Sequence, residues 1–245
     1  MSGSEIRIRP FRPEDKPEIR RLMIEGFVSG PLSPCVEALK HNLTTPTSFL
    51  LYLSASAGAG LCLAPSTSHK LRILGLALSS CSVGIFLFIR RGIRQFFLGS
   101  CERAEQTDFN DIGEWYDTNR GGPGGFFVAA FAQEGREDKV VGFVGMDCKM
   151  HPDPHTAELR RMVVSPFYRR QRIAGRLLEA AVEHAKTHSI ATLEIETSQH
   201  QPGAKRLYEK FGFRAFLTKR LSLGPLGSMQ VWRLRKTVGE SIMAD

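Results

Sequence analysis

Nineteen residues, AELRRMVVSPFYRRQRIAG from Ala157 to Gly175, constrain this chain more than any other stretch. Leu159 to Val164 is apolar and β-branched enough for a buried strand, and Ser165-Pro166 stops it. From Ile173 the apolar positions Ile173, Leu177, Leu178, Ala181 and Val182 take the spacing of one helical face, with Arg176, Glu179, Glu183 and Lys186 on the other. The unit is strand, basic turn, helix. A turn that opens a helix and carries Arg169, Arg170 and Arg172 aims backbone N–H groups, the positive end of the helix and guanidiniums at one place. That combination suits phosphate, although basic helix starts that merely face solvent are equally common.

Further along come a second β-type run, Thr192 to Thr197, and QPGAKRLYEKFGF, Gln201 to Phe213. Strand, R-x-x-x-x-A turn, helix, strand, then A-x-x-L-Y-x-x-x-G-F, in that order from about Val140 to Phe216, resembles the GCN5-related N-acetyltransferase superfamily. The resemblance implies an α/β fold of the α+β kind: a mixed, mostly antiparallel sheet flanked by helices. It also implies acetyl-CoA as co-substrate and no metal. The binding set it implies is Met162, Val163 and Val164, whose backbone takes the pantetheine arm, then Arg169, Arg170, Gln171, Arg172, Ile173, Ala174 and Gly175 for the pyrophosphate, with Gln201 where most members have asparagine. The family turn reads R/Q-x-x-G-x-G/A, and Arg172 stands where its first glycine is expected. Glycine there permits positive φ and close backbone approach. Arg172 therefore either obstructs the loop or replaces backbone proximity with a charge-assisted phosphate contact, and the intact helical pattern from Ile173 onward favours the contact.

The rest of the chain must house that unit. At 245 residues with 42% apolar content there is ample core for one large or two small domains. A net charge of +8 suits an anionic cofactor or membrane; without zinc-finger spacing or an RNP-type aromatic motif, nucleic acid is not expected as a partner. Five cysteines without a pairing pattern argue against a disulfide framework or a zinc site. His151 and His155 share a short loop with no further ligand nearby, which reads as surface. The charged first thirty residues exclude an ordinary cleavable signal peptide.

Two runs stand apart. Asn42 to Ser68 is 27 residues without a charge or histidine, and Ile73 to Ile89 is another 17, around the polar turn Ser66 to Arg72. Such runs read as a membrane hairpin, against the alternative of buried core helices or a re-entrant loop. If the strand near Ile6 joins the sheet formed after residue 126, both ends of the insertion must emerge on one side. A hairpin satisfies this and a single span does not. Lys40, Arg90, Arg91 and Arg94 outnumber Lys70 and Arg72, which puts the folded domain in the cytosol.

Around that insertion, residues 1–41 supply a first strand, Glu5 to Arg9, and a helix from Asp15 with Pro17 in its first turn. Residues 42–94 are the hairpin, 95–235 the remainder of the domain, and 236–245 a frayed tail. Phe109 to Tyr116 reads as a short helix. Phe126 to Ala132 and Lys139 to Met150 read as a β-hairpin around the turn Glu134 to Asp138, and Ser228 to Arg235 as a closing strand.

Acetyl transfer to an amine needs a neutral amine, a stabilised oxyanion and a proton for the departing thiolate. The resemblance puts Tyr208 where many members keep the tyrosine that protonates the CoA sulfur. A phenol can serve a thiolate of similar basicity, where a carboxylic acid would already be ionised; the other reading is a core tyrosine with a wet hydroxyl. Glu158 falls where several relatives carry a general base, and burial in an apolar strand would raise its pKa toward the working range. Its competing role is a salt bridge to Arg160 or Arg161, and Glu194 and Glu196 are the reserve candidates. A membrane insertion after the first helix, together with Gln201, looks like the camello-like N-acetyltransferases. These resemble membrane enzymes of the endoplasmic reticulum that act on amino acids, their conjugates or protein amines. The expected partners are such an amine and membrane lipid. The rival expectation is a catalytically inactive membrane protein that keeps the fold for CoA binding or scaffolding.

Overall fold

Strand pairing is the first consequence of the alternating and apolar runs. The computed structural model describes residues 6–118, 121–132, 138–222 and 227–239. Seven strands form one sheet: β1 Ile6–Pro10, β2 Gly125–Phe131, β3 Lys139–Asp147, β4 Thr156–Val164, β5 Thr192–Ser198, β6 Arg214–Ser222 and β7 Ser228–Thr237, in the order β1-β2-β3-β4-β5-β7-β6. All neighbours are antiparallel except β4 and β5. A parallel pair needs a crossover, and the helix α6, Ile173–Thr187, provides it. The expected mixed, mostly antiparallel sheet is therefore present, and β1 joins it across more than a hundred residues of intervening chain.

One face of the sheet is covered by α6 and by α7, Pro202–Lys210, through Leu177, Leu178, Ala181, Tyr208 and Phe213. The other is covered by α1, Lys16–Ile24, α2, Pro34–Asn42, the short α5, Ile112–Trp115, and the far half of a very long helix, α4, His69–Gln106. Phe109, Tyr116, Phe126 and Phe143 interlock beneath them with centroids 5.1–6.2 Å apart, within the range of favourable ring pairs.

The two uncharged runs become α3, Pro46–Leu63, and the first half of α4. They cross backbone to backbone: a Cβ added to Gly58 would lie 2.5 Å from the Gly75 carbonyl oxygen, and one added to Gly75 equally close to that of Gly58. Polar side chains bond across the same seam, with Ser79 Oγ donating to Ala55 O at 2.9 Å and Ser54 and Ser82 hydroxyls 2.6 Å apart. Small residues and hydroxyls at a helix contact suit a lipid environment, where apolar side chains gain nothing by leaving the lipid. Both helices are long and apolar enough to span a membrane, and only 11% and 17% of their most apolar stretches are buried.

The boundary drawn at residue 94 falls inside a helix. Past Arg94, α4 continues for 12 residues to Gln106, because Ile89, Ile93, Phe97, Cys101 and Ala104 recur every three or four positions and pack into the core of the folded domain. The arginines at 90, 91 and 94 therefore mark the end of the apolar run and not the end of the element. The expected helix over Phe109 to Tyr116 shrinks to four residues, since Phe109 packs beneath the sheet from a turn. At the C-terminus Lys236 and Thr237, expected in a frayed tail, complete β7 opposite Leu193 and Thr192. Residues 240–245, Glu5, Arg120 and most of the Glu134–Asp138 turn lie outside the described residues.

Candidate active site

Residues at the centre of the sheet build the site. Ladder pairing between β4 and β5 runs from Thr156–Thr192 to Leu159–Ile195 and stops, although both strands continue. On its other edge β4 carries a bulge: Arg160 pairs with Gly145 and Val163 with Phe143, so that Arg161 and Met162 together oppose Val144. Arg161 takes the left-handed conformation, φ 58°. A bulge bends a strand and re-aims its side chains, and here it turns Met162 to Val164 away from β5. Strain of this size persists only when surrounding contacts hold it. The Arg161 guanidinium donates twice to the fully buried Asp108 at 2.9 Å, and Tyr116 Oη donates to the same carboxylate at 2.7 Å. Burial opposes ionisation of Asp108, but these donors hold its pKa below the usual carboxylate range.

Two cavities flank the departing strand. The larger, about 610 Å³, lies between Met162–Val164, the turn Tyr168–Gly175 and the first turn of α7. The first helical hydrogen bond of α6 runs from Arg176 N–H to Arg172 C=O at 3.0 Å, which leaves the amides of Ile173, Ala174 and Gly175 at the open helix start. Arg172 is the N-cap residue with φ 58°, and Arg170 also has positive φ, 64°. The backbone shape that a glycine would take without cost is thus kept by an arginine, at a strain of about 1–2 kcal/mol. Arg169 is committed elsewhere: its Nη1 donates to the Pro31 carbonyl at 2.8 Å while its side chain lines the cavity wall, and burial lowers its pKa. Gln171 is exposed in the turn and is not among the lining residues. Free amides, a helix N-terminus and the Arg170 and Arg172 side chains fit a polyphosphate, and the apolar wall at Met162–Val164 fits a thin flexible arm.

A second cavity of about 280 Å³ opens on the other side of β4, with Glu158, Arg160, Thr197 and Ser198 among its walls. Met162, Gln201 and Tyr208 line both cavities. Tyr208 is buried, its Oη donates to Met162 Sδ at 3.6 Å, and burial pushes its phenol well above the ordinary value. Of the three glutamates singled out, Glu194 is fully buried and gripped by Arg233 (2.9 Å) and Arg235 (2.6 Å), and Glu196 pairs with Lys219 at 2.9 Å. The salt bridge offered as an alternative for Glu158 does not form: Arg160 pairs with Asp147 at 2.9 Å and Arg161 with Asp108. Burial raises the Glu158 pKa, partly offset by the nearby positive charge of Arg160 and Arg233. Thr197 Oγ1 is buried beside this cavity with no hydrogen-bond partner among the described residues.

Several residues that shape the site gave no local signal. Phe27 and Pro34, from the first forty residues, line both cavities. They reach there because Gly26 lets the extension of α1 lie on β4; a Cβ at Gly26 would meet Val163 Cγ1 at 2.5 Å. Asp108 and Tyr116 come from a connection with no motif: Asp108 meets Arg161 from 53 positions away in sequence, and Tyr116 supports that pair through its bond to Asp108.

Comparisons with known proteins bear on the family and the fold. The model of the acetyltransferase (GNAT) family matches residues 89–213. Human N-acetylaspartate synthetase is 29% identical over 212 residues, and the alignment takes 86% of this chain but 63% of that protein's length. The Xenopus tropicalis protein described as probable N-acetyltransferase camello is 26% identical over 215 residues, covering 86% of this chain and 87% of its own. An acetyltransferase of the GNAT family from Staphylococcus aureus Mu50 superposes on 96% of the chain with a TM-score of 0.52 at 14% identity, a likeness of fold. Since the matching region takes in just over half of the chain, from the inner half of α4 through the phosphate-fitting turn to Phe213, the chain belongs to the acetyltransferase (GNAT) family.

Proposed function

We propose that the chain is a membrane-held N-acetyltransferase that moves an acetyl group from acetyl-CoA to a primary amine on an amino acid, an amino-acid conjugate or a protein. The observation that carries this reading is the meeting of two cavities at Met162 and Tyr208, one suited to a polyphosphate with a thin arm, the other lined by Glu158, which has no ion pair among the described residues. The names of the relatives, one a synthetase of N-acetylaspartate and one a probable N-acetyltransferase, support an amine acceptor. The apolar hairpin of α3 and α4 would hold the chain in the membrane, that of the endoplasmic reticulum on the camello resemblance, with the folded domain on the cytosolic side where Lys40, Arg90, Arg91 and Arg94 lie.

In this reading acetyl-CoA supplies an activated acetyl thioester. The amides of Ile173, Ala174 and Gly175, with Arg170 and Arg172, hold the pyrophosphate, and the backbone of Met162 to Val164, freed from β5, orients the arm. Glu158 Oε takes a proton from the incoming ammonium, directly or through water. Tyr208 Oη holds the proton that the departing sulfur needs; the Met162 thioether is a weak acceptor, so the hydroxyl is easily given to a stronger one. Membranes carrying the full chain, washed with alkaline carbonate, should retain the protein and release free thiol from acetyl-CoA with at least one member of an amine panel. Release of the chain by carbonate would reject the hairpin, and thiol release with no amine would reject the transferase reading.

Arg172 allows a separate check. Arg172→Gly should raise folding stability by about 1 kcal/mol, because glycine takes positive φ without strain. The same change should weaken acetyl-CoA binding about tenfold or more through loss of a charge-assisted contact of about 1.5–3 kcal/mol. Calorimetry at matched ionic strength reads both, and unchanged or tighter binding would remove Arg172 from the phosphate set.

A further inference from the structure

The walls of the glutamate-lined cavity follow one face of α4 down toward the membrane. Phe96, Phe97 and Ser100 line that cavity, and Ile93, Phe96 and Phe97 line a smaller one of about 90 Å³ beside it. The two also share Met229. The smaller cavity reaches Thr45, whose hydroxyl caps the first turn of α3, so it sits at the foot of the hairpin. Ile93, Phe96, Phe97 and Ser100 are spaced at three, four and seven, a single helical stripe, and Ile89 four residues earlier is the last residue of the uncharged run. At a rise of 1.5 Å per residue, Ile93 stands about 6 Å and Phe96 about 10 Å beyond the end of that run. The polar layer of a bilayer is on the order of 5–8 Å deep on each side. With α3 and α4 in a membrane, the small cavity would be level with the headgroups, and the apolar flank of the acceptor cavity would begin just above them. Leu221, half-exposed on the edge strand β6, completes that flank opposite α4.

A cavity built for a small, fully hydrated amine has no use for an apolar flank that leads to the foot of the hairpin. Burial of apolar surface is worth roughly 25 cal/mol per Å² to an occupant, so this flank discriminates by chain length. Resting on the acetyltransferase and membrane reading above, we infer that the acceptor is an amphipathic primary amine presented from the membrane surface. Its amine lies at Glu158 and Tyr208, and its apolar chain runs along Phe96, Leu221 and Met229 toward the foot of the hairpin.

The test is a homologous series with one head and a variable tail: 2-aminobutanoic, 2-aminooctanoic and 2-aminododecanoic acids, each below its aggregation concentration, with the full chain in phospholipid nanodiscs and free-thiol release as readout. The expected kcat/KM rises at least tenfold from the shortest to the longest, since each buried methylene is worth about fourfold. Leu221→Ser lies on an exposed edge strand and should leave the fold intact; it should reduce the long-to-short ratio several-fold. A ratio near one, or a preference for the shortest acid, would overturn the inference and leave the transferase reading standing. Thiol release with none of the acids or the wider amine panel, while acetyl-CoA still binds, would instead overturn the transferase reading and this inference with it.

Discussion

Glu158→Gln should lower turnover by about 10²-fold or more while making the folded chain more stable at neutral pH. A positioned general base contributes roughly 10²–10⁴-fold, and glutamine keeps the shape of the side chain while losing the ability to accept the ammonium proton. The rise in stability follows from the direction of the pKa shift. Burial raises the folded-state pKa of Glu158 above its ordinary 4.5, so the folded state binds more protons than the unfolded state between those two values. Wild-type stability accordingly falls as pH rises through that window and stays lower above it. Glutamine carries no such cost, so the two proteins should differ in thermal midpoint at pH 7 and converge below about pH 4.5. The pH–rate profile supplies the activity half: wild type should gain activity on an acidic limb set above 4.5, and the variant should lack that limb. Equal turnover with an unchanged profile would transfer the base role to Glu196 or to water. Glu194 is a poor substitute, because Arg233 and Arg235 already occupy its carboxylate.

Tyr208→Phe should reduce turnover by at least about 10²-fold with acetyl-CoA binding and thermal stability nearly unchanged. The ring fills the same space between α7 and β4, and the group left without a donor is only a thioether, which tolerates the loss. A hydroxyl whose deletion costs turnover and nothing else acts in the reaction, as a split between kcat and KM would report. Burial keeps the phenol protonated well beyond the ordinary range, so no loss of the acid is expected on the alkaline side of a normal assay. If turnover survives, the proton for the sulfur comes from water, and Tyr208 is a wall between the two cavities.

How much of this was legible beforehand depends on how far apart the cooperating residues lie. The strand, turn and helix from Thr156 to Thr187 are neighbours in sequence, and their polarity pattern, proline stop and helical spacing suffice to place them. The same holds for A-x-x-L-Y-x-x-x-G-F, whose helix and following glycine turn are a local pattern. The uncharged runs announced two apolar helices for the same reason, since charge exclusion is a property of composition along a single stretch.

Tertiary structure alone decided three things. It carried α4 past Arg94 into the core, because the stripe Ile89, Ile93, Phe97 and Cys101 has meaning only when α1, α2 and the sheet are present to cover it. It assigned the charged partners: Arg160 and Arg161 were equally available to Glu158 in sequence, and Asp147 and Asp108 took them through pairing across β3 and the turn after α4, leaving Glu158 without an ion pair among the described residues. It also bent β4, since a left-handed arginine inside a strand persists only when the buried Asp108, 53 residues earlier, holds its guanidinium. Sequence by itself determined the family and most of the elements, though not all of their ends, because those depend on periodicity and short motifs. Which charges remain free, and where the strand opens, depend on contacts between distant residues, and only the folded chain decides them.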